Sequence, residues 1–496
     1  MFDGIKKILD KISNISKSVD TYKKDTIIQS LPTVTYVNRA KKYIEKGDFV
    51  MAEAVLTEAM FLPQKDSLVY KYLGLVYEKT GKFNLAVENY QTSADLNPND
   101  KNIWQRLGFA LMSQKEYEKA EKAFENANKI QSGNTDTFTG WGMALMKLKN
   151  FSEAREKFSQ AMKVNKYNFS AVFLCAVMEI KLEMYDKAEE KLAFLSSVSP
   201  NESNTFEYAR LKAIKNNIVD AIFYAKKSLE YNRNMLPAYI LLGQLFTQNL
   251  DKEAAIGYFA EAEKRNLTTA DMYLEWGKTL EKFEMHEEAK QKLIKAYEMD
   301  NNNLEIKSYL GLCYVSLKEF KDAEPLLQEV IKKEPENKVV NQALGIIAYE
   351  ENDIEKAIQI LRKDDEDFLN CYYLAKCYET KSDDTKIRDY YEASILHNNK
   401  HITTYINYIN YLISQKDFQE AQRKLRKALK IDKSNIELLN LMFYTSYILV
   451  KDKVCEYNLK ETLDISNKIE SVSPDLFKYP EQKQELMGLL QKRDMN

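Results

Sequence analysis

His397 and His401 stand four residues apart, a spacing at which two imidazoles on one helix face can share a zinc ion. They fall at a turn between repeating units, with no cysteine or paired carboxylate beside them, and read as incidental surface histidines. The acidic run at 364–367, Asp-Asp-Glu-Asp, could gather a cation, but it lacks the glycine-turned spacing of a calcium loop and reads as a solvated connection. Five cysteines, Cys175, Cys313, Cys371, Cys377 and Cys455, are scattered and odd in number, which argues for reduced thiols in a cytosolic setting. There is no glycine-rich phosphate loop, no nucleophile elbow, and no stretch outside the repeating pattern long enough for a catalytic domain. The expectation is a chain without catalytic, cofactor or metal site.

A different chemistry recurs instead. Leu75, Phe109, Met143 and Val177 follow one another at 34-residue steps, with Met112, Met146, Phe173 and Ile180 nearby. Flexible methionines and aromatic rings in one stripe suit a surface that takes up apolar side chains of a partner. Part of that stripe can equally be core, since Met112, Met146 and Ile180 sit where helices of a pair pack.

The elements that carry the stripe are legible from two small residues. Glycine recurs at Gly74, Gly108, Gly142, Gly243, Gly277, Gly311 and Gly345, with alanine in the equivalent place at Ala40, Ala176, Ala209 and Ala375. Twelve residues beyond each glycine comes an alanine: Ala86, Ala120, Ala154, Ala255, Ala289, Ala323 and Ala357. Apolar residues between them keep helical spacing, and polar turns such as Ser113–Tyr117 separate the runs, so each unit is a helical hairpin. Mid-helix glycine costs roughly 0.5–1 kcal/mol relative to alanine. Its recurrence predicts that the two helices of a pair approach closely at the glycine and the alanine.

These positions resemble the tetratricopeptide repeat. Residues 67–100 carry Tyr70, Leu73, Gly74, Tyr77, Ala86, Tyr90, Ser93 and Pro98 in the family's register, and residues 101–134 carry Trp104, Leu107, Gly108, Ala120, Phe124 and Ala127. About twelve such units run in register across roughly residues 33–435. The resemblance implies an all-α, right-handed superhelical α-solenoid of helix-turn-helix repeats, whose first helices line a concave groove for peptide or helix segments of partner proteins. Carried over residue by residue, the groove-facing set is Lys71, Leu75, Gln105, Phe109, Met112, Met143, Met146, Phe173 and Val177, an apolar region within residues 67–202. Farther on it turns polar, with Arg210, Gln244 and Lys278, then Tyr372, Lys376 and Asn410. Some family members clamp a C-terminal carboxylate with lysine and asparagine; Lys71 and Arg106 suit that use, but Leu75 occupies the asparagine place.

The ends and one junction depart from the pattern. Residues 1–32 open with an amphipathic stretch in which Phe2, Ile5, Ile8, Leu9, Ile12 and Ile15 share a helical face, suited to a cap, a docking helix or, as the least favoured reading, membrane contact through residues 1–20. Residues 33–367 form the main array of about ten repeats, the last shortened; 368–435 hold two more; 436–496 hold a divergent repeat and a closing helix. Pro325 falls near the start of a second helix, where a missing N–H matters least.

Composition narrows the function. Seventy-two basic residues against 74 acidic ones leave a net charge of −2, with no long basic run to follow a phosphate backbone, so nucleic acid is not an expected partner. No apolar run of ~18 residues exists, and the first residues lack a signal-peptide core, so a cytoplasmic location is expected, with peripheral contact at a membrane by way of residues 1–20 as the alternative. The reading is a non-catalytic scaffold. The alternatives are a co-chaperone or targeting adaptor for one client, and a subunit of an enzyme complex.

Overall fold

The computed structural model describes residues 33–452, 459–472 and 474–494; the amphipathic stretch at 1–32 and Cys455 lie outside them. Among the described residues every α or β element is an α-helix. The chain divides between Leu267 and Thr268 into two compact units.

The first unit stacks seven hairpins: α1 (Thr33–Glu45) with α2 (Phe49–Met60), α3 (Ser67–Lys79) with α4 (Phe83–Leu96), α5 (Lys101–Ser113) with α6 (Tyr117–Ile130), α7 (Thr135–Lys147) with α8 (Phe151–Val164), α9 (Phe169–Lys181) with α10 (Tyr185–Val198), α11 (Glu202–Ile214) with α12 (Ile218–Tyr231), and α13 (Leu236–Gln248) with α14 (Lys252–Lys264). The second unit stacks five: α15 (Ala270–Lys282) with α16 (His286–Met299), α17 (Leu304–Ser316) with α18 (Phe320–Lys333), α19 (Lys338–Glu350) with α20 (Ile354–Leu361), α21 (Phe368–Lys381) with α22 (Asp384–His397), and α23 (Ile402–Ser414) with α24 (Phe418–Ile431). It continues into α25 (Ile436–Lys451), α26 (Leu459–Val472) and α27 (Pro480–Asp494), where Phe443, Leu463 and Leu486 share one core cluster. Each unit is an α-solenoid. No helix among the described residues is long and apolar enough to cross a membrane.

The hairpins share one turn. After α5, Lys115 adopts φ +63°, and the Glu116 N–H reaches back to the Leu111 carbonyl at 3.0 Å, closing the helix as a Schellman motif. The same left-handed residue returns at Gly47, Gly81, Lys149, Glu183, Asn216, Leu250, Glu284, Lys318, Asn352, Ser382 and Lys416. Caps then start the next helix, as where Asn150 accepts the Glu153 N–H and Asp251 the Ala254 N–H.

The helices of a pair meet at the glycines, but the neighbour differs from the sequence expectation. A Cβ at Gly108 would stand 2.7 Å from Phe124 Cε1, and one at Gly74 2.6 Å from Tyr90 Cδ1. Gly142, Gly243, Gly277, Gly311 and Gly345 are covered likewise by Phe158, Phe259, Leu293, Leu327 and Leu361. The glycine therefore makes a notch for a large side chain one turn beyond the alanine, while Ala86, Ala120, Ala154, Ala255, Ala289, Ala323 and Ala357 are fully buried.

The shortened repeat loses its residues from the second helix. α20 ends at Leu361, the residue whose side chain covers Gly345, and a 3-10 turn at Arg362–Asp364 follows. The acidic run is tied into that turn: Asp367 accepts the Leu369 and Asn370 N–H groups at the start of α21, and Lys338 pairs with Asp364 at 3.2 Å. Pro325 sits deeper than expected, as the sixth residue of α18, so it forfeits one interior hydrogen bond.

Candidate protein-binding face

The first helices line up side by side along each unit, and the expected binding residues lie on them. Phe109 is the most open of the apolar set at 37% exposure. Its ring stands edge-on to Phe124 at 5.0 Å, and it also rests against Gly140 of the next hairpin, where a Cβ would lie 2.9 Å from Phe109 Cε1. Gly140, which the repeat pattern does not single out, therefore seats both rings across the inter-repeat joint. The other apolar residues are half-buried. Met112, Met143, Met146 and Val177 pack against the cluster of Leu107, Trp141 and Phe158, Phe173 packs against that of Val172 and Leu192, and Leu75 is half-covered. Ile180, at 8% exposure, is core. Trp104 is half-buried and donates its indole N–H to the Pro98 carbonyl at 2.8 Å.

Beside Phe109 opens a cleft of about 400 Å³ lined by Lys71, Glu78, Asn102, Gln105 and Arg106. Its cations have carboxylate partners within the protein. Lys71 pairs with Asp100 at 2.7 Å, the same side chain that caps α5, and Arg106 reaches Glu78 at 3.3 Å. Glu78 also accepts the Tyr90 hydroxyl at 2.6 Å; burial first, then this bond to Glu78, pushes the tyrosine pKa up. A clamp for a partner's carboxylate needs cations with unspent charge, and these are already neutralised.

The polar stretch is paired in the same way. Arg210 holds both Glu207 oxygens at 2.8 Å. Gln244 is half-buried on α13. Lys278 lies between Glu275 and Glu305 at 2.6 and 2.5 Å; burial pulls its ammonium pKa down, but the two carboxylates outweigh it and the pKa is raised. A second cleft, of about 490 Å³, opens between α21 and α23 and is lined by Lys376, Glu379, Asp384, Asn407, Asn410 and Tyr411. Asn407 donates to the Tyr372 hydroxyl at 2.5 Å, and Lys376 stands over the rings of Tyr349 and Tyr372. The sequence singled out Tyr372, Lys376 and Asn410 here but passed over Asn407 and Tyr411, one helical turn apart on the same helix.

The residues with chemical potential are spent on structure. His397 ends α22 and His401 stands at the position just before α23, so they do not share a helix face. His401 is not a free surface side chain: Nδ1 lies 2.7 Å from Thr404 Oγ1, its ring contacts Phe368 and Tyr372, and burial lowers its pKa. Burial raises the Cys175 thiol to about 11 and those of Cys371 and Cys377 to about 12, so all three stay protonated near neutrality. Among the described residues no group of three or more histidine, cysteine, aspartate or glutamate side chains could hold a metal ion.

Two family models match the chain: the N-terminal tetratricopeptide repeats region of Psidin over residues 44–198, and the tetratricopeptide repeat over residues 317–375. The TPR repeat-containing protein YpiA of Bacillus subtilis (strain 168) is 23% identical over 190 residues, 38% of this chain; the match spans 45% of the relative's length, less than half of it. Among solved structures, the APC/C hetero-tetramer Cut9-Hcn1 aligns over 92% of this chain and 97% of its own at 16% identity and TM-score 0.43. A tetratricopeptide repeat protein from Parabacteroides merdae ATCC 43184 aligns over 57% and 98% at 19% identity and TM-score 0.37.

Proposed function

The chain is a tetratricopeptide repeat protein, and from that premise we propose that it is a non-catalytic scaffold that holds segments of partner proteins against its first helices. Phe109 offers an exposed ring at the edge of a cleft otherwise lined by Lys71, Glu78, Asn102, Gln105 and Arg106, and the cleft at Asn407 and Asn410 is a second, polar one, so two partner segments can be held on one chain and gain from effective concentration. The observation that carries the reading is Phe109. An aromatic ring costs free energy while it stays in water. Here it is fixed on Phe124 and Gly140 at the edge of a polar cleft of about 400 Å³, where a helical or extended partner segment can cover the ring with an apolar side chain and meet the cleft with polar ones. The paired state of Lys71 and Arg106 disfavours a carboxylate-tail clamp, and with it a co-chaperone that works in that way. Because Met143 packs against core residues, substitution there disturbs stability as well as binding.

The test uses Phe109→Lys combined with Gln105→Glu in the full chain. Affinity purification from the source cells, read by quantitative mass spectrometry, should lose the proteins retained by the wild type while the melting temperature holds. An unchanged set of retained proteins excludes this face.

A further inference from the structure

Not every cation expected to face a partner is neutralised. Lys71, Arg106, Arg210 and Lys278 each have a carboxylate partner, but Lys376 has none among the described residues. Its ammonium stands 5.5 and 5.8 Å from the ring centres of Tyr349 and Tyr372, which attract the charge without cancelling it. Glu379, three residues on along α21, lines the same cleft. Its carboxylate accepts the Tyr391 hydroxyl, a neutral donor, at 2.6 Å, and no cation among the described residues pairs with it. Asp384, the other acid of the cleft, is spent on Arg388 and on the Tyr411 hydroxyl. The cleft therefore keeps one uncompensated charge of each sign, one helical turn apart.

Two carboxamides of α23 complete the lining. Asn407 donates an N–H to the Tyr372 hydroxyl, which leaves its carbonyl oxygen without a partner among the described residues. Asn410 is exposed, and its side chain bonds to none of them. A carboxamide offers one acceptor and two donors, the groups that the backbone of a peptide can answer. A helical segment has those backbone groups bonded internally, whereas an extended one presents them. The charges fit the same shape. Residues three apart on a helix hold their Cβ atoms about 5–6 Å apart. Alternate residues of an extended chain share one side at a spacing of about 6.5 Å. We propose that this cleft holds an extended partner segment with an acidic and a basic residue at alternate positions, the acid on Lys376, the base on Glu379 and the backbone on Asn407 and Asn410. The proposal rests on the reading that the first helices hold partner segments, and it names the chemistry of one of them.

The test measures fluorescence anisotropy of short labelled peptides, blocked at both ends, with the full chain at low salt. A serine and threonine peptide with Glu-Thr-Lys at its centre, or the reverse order Lys-Thr-Glu, should bind at least about tenfold more tightly than the same peptide with Gln-Thr-Gln. Asn410→Ala should weaken that binding. Lys376→Gln should bind the peptide alike whether its acid is kept or replaced by glutamine. Because a loss also follows from disturbed packing over the two tyrosines, K376E supplies a gain: it should bind a Lys-Thr-Lys peptide more tightly than the wild type does. No saturable binding, equal binding of the Gln-Thr-Gln peptide, or K376E without the gain overturns the proposal. Affinity purification with K376Q/E379Q/N410A separates this from the reading beneath it. Loss of a protein that the wild type retains, without any preference among the peptides, overturns the segment's chemistry and leaves the cleft as a partner site; an unchanged set of retained proteins overturns both.

Discussion

At the scale of single residues, the joint at Gly140 explains how Phe109 is held. Phe124 fills the notch over Gly108 in its own hairpin and also meets Gly140 of the next, so one ring serves an intra-repeat and an inter-repeat contact. A methyl at Gly140 would lie 2.6 Å from Phe124 Cζ, and Gly140→Ala should cost about 1–3 kcal/mol through forced repacking. Gly257, exposed within α14, would place its methyl in open space, so Gly257→Ala should stabilise by about 0.5–1 kcal/mol. Chemical denaturation of both variants checks the pair of opposite signs. Spacing alone reveals Gly108 because it recurs every 34 residues; it hides Gly140, which occurs in one repeat only. His401 gives a pH signature. Burial lowers its pKa below the ordinary value of about 6.5, so the unfolded chain binds the proton first as pH falls, and folding stability drops from about pH 7 downward. His401→Asn should flatten that part of the pH dependence between about pH 7 and 5 in denaturant midpoints; parallel wild-type and variant curves would falsify the assignment.

At the scale of elements, the repeat period and helix type are written in the glycines, alanines and apolar spacing, and the short α20 appears as a shortened step between Gly345 and Ala375. What the pattern does not show is the backbone sign at the turn. Lys115, Leu250 and Lys416 hold left-handed φ where no glycine advertises it, because the Schellman bonds and the following cap enforce a conformation that side chains disfavour. That strain can be relieved. Leu250 is 70% exposed at φ +59°, so Leu250→Gly should raise stability by about 1 kcal/mol, read as a higher denaturant midpoint. A lower midpoint would show that the leucine makes a contact worth more than the strain. The same gap between pattern and geometry explains the misplaced neighbour of Gly108: a sequence gives the two small residues, but only coordinates show that a ring one turn beyond Ala120 occupies the space.

At the scale of the whole molecule, each unit carries its own cores, and the face made by its first helices is the surface on which the functional reading rests. That the expected binding residues share the first helices was legible because the hairpin repeats. Their openness was not, since Phe109 alone of the expected apolar set is exposed, at 37%, while Met143 and Val177 at the same repeat position pack against a core cluster and Leu75 is half-covered. The charges were legible as residue types but not as pairs, so Lys71 and Lys278 looked available until Asp100 and Glu305 appeared beside them. Hydrogen–deuterium exchange of the full chain, alone and with a partner recovered through it, tests the central claim most directly. Slowed exchange concentrated in α5 and α7 around Phe109 is the predicted result. Protection confined to second helices, with α5 and α7 unchanged, would contradict it.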